Sequence, residues 1–204
     1  MRSSQALFDT HIRDALSLSA IYDYGAIHLR APFSFDDILR AQIANSVSAF
    51  DKFMHDLIRI GMIETFVGRR RPTPKYSTEV LSLEAISLIR AATVPPPEAY
   101  FEKEILKKHS HLSFQDPVKV ADALGLIWAE PQKWQAISNQ MGRADHDNTR
   151  KILSLICVRR NKIVHEADYD GLSDQKLTIS REEAINSALF IQQCGIAIFN
   201  LVKL

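Results

Sequence analysis

Across residues 34–66 apolar side chains return mostly at intervals of three and four: Ile38, Ile43, Val47, Phe50, Met54, Leu57, Ile58 and Ile63. That interval lines them up on one stripe of a helix, and such a stripe must be covered by another element. Three more long segments repeat the pattern, at about residues 5–28, 147–168 and 181–202. Alternating strand patterns are almost absent, and the whole chain holds only seven glycines. The fold class is therefore all-α, with four long helices packed on one another.

Local signals place the boundaries. Ser34 is a good N-cap for the second helix, and Asp36 and Asp37 put negative charge in its first turn, where the helix dipole favours it. Gly61 reads as a bend or an early end. Residues 68–75 read as a loop, because Pro72 and Pro74 disfavour helix. Its Arg69, Arg70 and Arg71 form either a solvated surface connection or a patch for phosphate backbones. Ser77 or Thr78 caps a third helix to about residue 92, and Pro95, Pro96 and Pro97 then break it. Short helices follow at about 98–108, 117–124 and 131–141, with Asp116 and Pro117 as N-cap and first helical position. Ser180 and Glu183 form a capping box for the last helix, whose Ala188, Gly195 and Ala197 allow another helix to approach closely. The chain reads as one helical domain, residues 1–204, with an insertion at about 68–146 between the framing helices, the stretch 68–115 above all.

Charge and composition exclude several classes. Lys and Arg number 25 against 24 Asp and Glu, a net charge of +1, so any surface for nucleic acid must be local. The two cysteines, Cys157 and Cys194, lie among apolar residues and read as small buried hydrophobes. His109 and His111 are the one close histidine pair, without further ligand spacing, so no metal and no cofactor is expected. Phosphate-loop, dinucleotide-loop and nucleophile-elbow motifs are missing. The N-terminus has no uninterrupted apolar run and no window reaches about 18 apolar residues, so a cytoplasmic protein without signal peptide or membrane span is expected.

Two polar constellations interrupt the apolar pattern. The first is Arg159, Arg160, Asn161, Lys162 and His165, at the end of the third long helix. Asn161 and His165 are four apart and share a face, whereas Arg160 is turned about 140° from His165. Either the arginine wraps back or the helix ends near the histidine. The second is Asp51 and His55, four apart on the second helix, where a carboxylate can hydrogen-bond to the imidazole and hold one tautomer. Taken as residues alone, a solvated helix end explains the first better than an active site does, and an exposed polar stripe explains the second equally well.

Arg160-Asn161-Lys162-Ile163-Val164-His165 resembles the R-x4-H motif of the HEPN superfamily, with its polar residue directly after the arginine. The position on a late helix with one more helix following fits, and the Asp51/His55 pair resembles the RiboL-PSP-HEPN lineage. The resemblance covers the framing helices, roughly 5–66 and 147–203. It implies a bundle of four or five helices that dimerises so that two motifs form one cleft, a metal-independent endoribonuclease acting as a toxin or in phage or stress defence. His165 would serve as general base or acid, Arg160 would bind phosphate, and Asn161 would orient the histidine. Asp51 and His55 would line the cleft, with Arg159, Lys162 and the basic loop as weaker RNA contacts. RNA, a second copy of the chain and an antitoxin or defence-system protein are the implied partners. One HEPN toxin subgroup has Tyr two residues after the histidine where its antitoxin modifies it; here that residue is Ala167. Two other readings remain: a non-catalytic HEPN-like module for RNA or protein binding, and a metal-dependent hydrolase, which no ligand spacing supports.

Overall fold

The long stripes fold as their periodicity dictates. The computed structural model describes every residue except 172 and 174, which belong to the predicted loop at 169–178 and lie outside the described residues. Among the described residues there is no strand, and the helices are α1 (Arg2–His28), α2 (Asp36–Phe66), α3 (Pro74–Ser77), α4 (Leu83–Ala91), α5 (Pro97–His109), α6 (Pro117–Leu124), α7 (Lys133–Gln140), α8 (His146–Glu166) and α9 (Arg181–Val202). Helix α2 is the spine, packed against α1, α9, α8 and α5. Its Leu39, Ile43, Val47, Phe50, Met54, Leu57, Ile58 and Met62 are fully buried. Burial of each such side chain stabilises by about 1.5–3 kcal/mol relative to exposure.

The four framing helices start and end close to their sequence signals. Helix α2 begins one residue later than its Ser34 cap implies: Phe35 is the N-cap, and Ser34 Oγ accepts from the Asp36 amide at 3.1 Å. Gly61 neither bends nor ends α2. A Cβ there would collide with Ile127, so the glycine permits the 126–128 segment to lie directly on the helix. Gly195 does the same on α9, where a Cβ would overlap the ring of Phe8, itself stacked on Phe53 at 4.6 Å. Gly195→Ala is therefore expected to cost about 1–3 kcal/mol through overpacking, measurable as a lower urea midpoint at unchanged slope.

The predicted third helix starts later than expected, as α4 at Leu83, and neither Ser77 nor Thr78 caps it: Ser77 ends and Thr78 C-caps a separate short helix, α3, that begins inside the predicted loop. Thr73 caps α3, its hydroxyl accepting from the Tyr76 amide and donating to the Gly125 carbonyl at 2.7 Å. Ser82 caps α4 by accepting from the Ala85 amide. Pro74 thus starts a helix instead of preventing one, because a first-turn proline loses no hydrogen bond. The residues between α2 and α8 also share the main core: Phe101, Ile105, Phe114, Val120, Leu124 and Ile137 pack in the same cluster as Phe50 and Ile198. Ser138 Oγ lies 2.8 Å from Thr149 Oγ1, which joins α7 to α8, and Trp134 Nε1 donates to the Pro117 carbonyl at 2.8 Å, which joins α7 to α6.

Helix α9 qualifies the expectation about membranes. Its residues after Glu183 carry no charge, and by length and composition it could cross a bilayer. Half of that window is buried within the protein, against α1, α2 and α7. It is the one helix among the described residues that passes this test.

Candidate functional site

Helix α8 presents two faces, because α2 and α7 cover only one of them. Leu153, Ile156 and Cys157 point inward, while Leu155, Val158, Asn161 and His165 are exposed. Arg160 lies at the boundary, with its Nε buried and without an acceptor among the described residues. Its Nη1 donates to Gln115 Oε1 at 3.3 Å and to Asn161 Oδ1 at 3.1 Å. The helix ends at Glu166, one residue after His165, so both motif residues keep helical geometry and remain about 140° apart. Within one chain, Arg160 is bonded to Gln115 in the connection between α5 and α6, and His165 is exposed.

The thiol of Cys157, on the inward side, feels charges from both constellations. Burial, with the negative charge of Asp51 adding and the positive charge of Arg160 opposing, pushes the Cys157 thiol up to about 12. That thiol therefore lies within electrostatic reach of both groups and stays protonated at neutral pH. Asp51 and His55 are both half-buried on α2, at 24% and 28% side-chain exposure, open enough to meet a ligand. They do not hydrogen-bond to each other: His55 Nε2 is 3.9 Å from Asp51 Oδ2, too far for a hydrogen bond. Each is held instead by the connection between α5 and α6. Asp51 Oδ1 accepts from the Phe114 amide at 2.5 Å, and His55 Nε2 lies 3.2 Å from the Leu112 carbonyl. A carbonyl can only accept, so this contact fixes the proton on Nε2. The Phe114 ring meets the imidazole edge-on at 4.7 Å.

Sequence reasoning missed this clamp. Residues 112–115 hold Asp51, His55 and Arg160 together through Leu112, Phe114 and Gln115. The available signal was the Asp116-Pro117 helix start, which fixes where the connection ends. Two basic residues expected to face RNA are engaged elsewhere. Arg159 Nη2 donates to Asp168 Oδ2 and to the Thr178 carbonyl, both at 2.9 Å. Arg70 is locked on Glu64 and on the carbonyls of Ile127 and Val202, pinning the loop after α2 to the end of α9. Arg69 and Arg71 remain exposed, and Lys162 is half-buried. Among the described residues, no group of three histidine, cysteine, aspartate or glutamate side chains could hold a metal.

An all-helical domain with R-x4-H at the end of its penultimate long helix is a protein of HEPN type. The chain belongs to the RiboL-PSP-HEPN family, whose model matches residues 10–204. The match runs through the middle region as well as the framing helices. No curated protein and no solved structure matches the chain.

Proposed function

We propose that this protein is a metal-independent endoribonuclease whose site is completed by a second copy of the chain, in the role of a toxin or defence effector. What supports the reading is the division of labour on α8 in a HEPN-family chain: an exposed imidazole at His165, and an Arg160 guanidinium bonded to Gln115 on the same 112–115 segment that holds Asp51 and His55. The exposed Leu155 and Val158 run along α8 towards Asn161 and His165, an apolar lead-in for a partner helix.

In the reaction, His165 takes the proton of a ribose 2′-hydroxyl as that oxygen attacks the adjacent phosphorus. The bond from phosphorus to the 5′-oxygen breaks, the leaving oxygen takes a proton from water, and His165 returns its proton to solvent. Arg160 neutralises charge growing on the phosphate oxygens, using donors beyond the Nη1 that Gln115 and Asn161 share. Asp51 and His55 line the inner wall.

The test is incubation of the purified chain with single-stranded RNA in EDTA. Products carrying 2′,3′-cyclic phosphate and 5′-hydroxyl ends are expected; absence of cleavage both with and without EDTA sinks the reading. The alternative is a non-catalytic HEPN-like module for RNA or protein, which requires both motif side chains to be tied to structural groups. Arg160 fits that requirement through Gln115, but the exposed His165 side chain has no hydrogen bond among the described residues.

A further inference from the structure

A pocket of about 400 Å³ opens on the far side of the 112–115 clamp, within the roughly 300–1,000 Å³ range of small-ligand sites. Its floor is apolar, made by the buried Phe114, Ala123 and Leu126. Its rim carries His109, His111 and Lys119. The two acids at the pocket are already neutralised: Glu79 pairs with Lys108, and Asp122 pairs with Lys75. The Lys119 ammonium has no carboxylate partner among the described residues, so the rim is left with net positive charge. Burial holds His109 below the ordinary imidazole range, against the pull of Glu79 and with help from Lys108, His55 and His111. A neutral imidazole offers one donor and one acceptor, the complement a base edge requires.

An apolar floor with a positive rim suits a nucleotide, whose base is apolar on its faces and whose phosphate is anionic. The wall shared with the candidate site decides which nucleotide. Leu112 and Phe114 line the pocket, and their backbone groups hold His55 and Asp51. We propose that this pocket is a subsite for the RNA strand, seating one base on Phe114 and Leu126 and the neighbouring phosphate at Lys119. The assignment of the strand as ligand rests on the ribonuclease reading above. A base seated there presses on the segment that positions Asp51, His55 and Arg160, so subsite occupancy and site geometry are coupled.

The test uses the full chain and a 2′-O-methyl oligoribonucleotide, which lacks the attacking hydroxyl and stays intact, with binding read by fluorescence anisotropy. Lys119→Glu, at an exposed position, and Ala123→Phe, which fills the floor, are each expected to weaken binding at least tenfold. Circular dichroism checks the fold, and Lys119→Glu carries the test if Ala123→Phe does not fold. Uridine monophosphate is expected to shift the Leu126 methyl resonances and to be displaced by the oligonucleotide. Unchanged oligonucleotide affinity in Lys119→Glu overturns the proposal, as does a mononucleotide that binds the pocket without competing with the strand. Because binding is read without cleavage, an inactive protein that still loses affinity in these variants refutes only the ribonuclease reading. An active one indifferent to them refutes only the subsite.

Discussion

Mixing two inactive chains, one carrying Arg160→Ala and the other His165→Ala, is expected to restore RNA cleavage that neither shows alone. On the proposed mechanism each single change removes a group acting in the transition state and is expected to lower cleavage by at least about 10²-fold. Neither should unfold the protein, since His165 is exposed and Arg160 is only half-buried. Recovery on mixing follows from the helix: with about 140° between them, Arg160 and His165 of one chain face different directions. A symmetric pairing of two chains lets the arginine of one meet the histidine of the other. A mixed dimer then keeps one intact pair, so random reassortment should return about a quarter of wild-type activity. Size-exclusion chromatography and native mass spectrometry show whether mixed dimers form. If they form and remain inactive, the two groups act within one chain and the composite site is wrong.

The fold was largely legible because long amphipathic stripes leave few alternatives. Helix α2 carries its whole buried ridge in one local pattern, and Asp116-Pro117 and Ser180/Glu183 mark helix starts with their own side chains. Legibility failed where tertiary contacts decided between local options. Thr73, Ser77, Thr78 and Ser82 are all competent caps; Thr73 is chosen with the help of Gly125, 52 residues away. The same limit applied to the site. R-x4-H and the Asp51/His55 pair are local spacings, so they could be found. Their shared clamp ties α2 to residues 112–115 through the Leu112 and Phe114 backbone and α8 through the Gln115 side chain, partners 45 to 63 residues away that no local spacing records. Arg40 was a partial signal, a charge in the buried stripe between Leu39 and Ile43, but its partner lies 128 residues away.

That partner carries the largest expected effect on stability. Asp168 is fully buried, and its Oδ2 accepts from Arg40 Nε at 2.8 Å and Arg159 Nη2 at 2.9 Å. Arg40 also donates through Nη2 to the Leu177 carbonyl, and the Leu177 amide donates to the Asp168 carbonyl. The residues just after His165 are thereby tied to α2. Ala167, the C-cap of α8, and Asp168 both adopt left-handed conformation, at φ 50° and 64°, which costs about 1–2 kcal/mol per non-glycine residue. Removing the carboxylate leaves Arg40, 8% exposed, with only the exposed Asp37 as a carboxylate partner, at 3.1 Å from Nη1. Asp168→Ala is therefore expected to destabilise by about 3–5 kcal/mol, a fall in Tm of roughly 10 °C for a domain of this size. Asp168→Ala combined with Arg40→Met should lose less than Asp168→Ala alone, because the buried, under-compensated charge goes with its partner. Cleavage should also fall in Asp168→Ala below its melting point, since the end of α8 that positions His165 is no longer held. A loss under about 1 kcal/mol in urea unfolding, the range of an exposed pair, would mean that the triad does not anchor the end of α8.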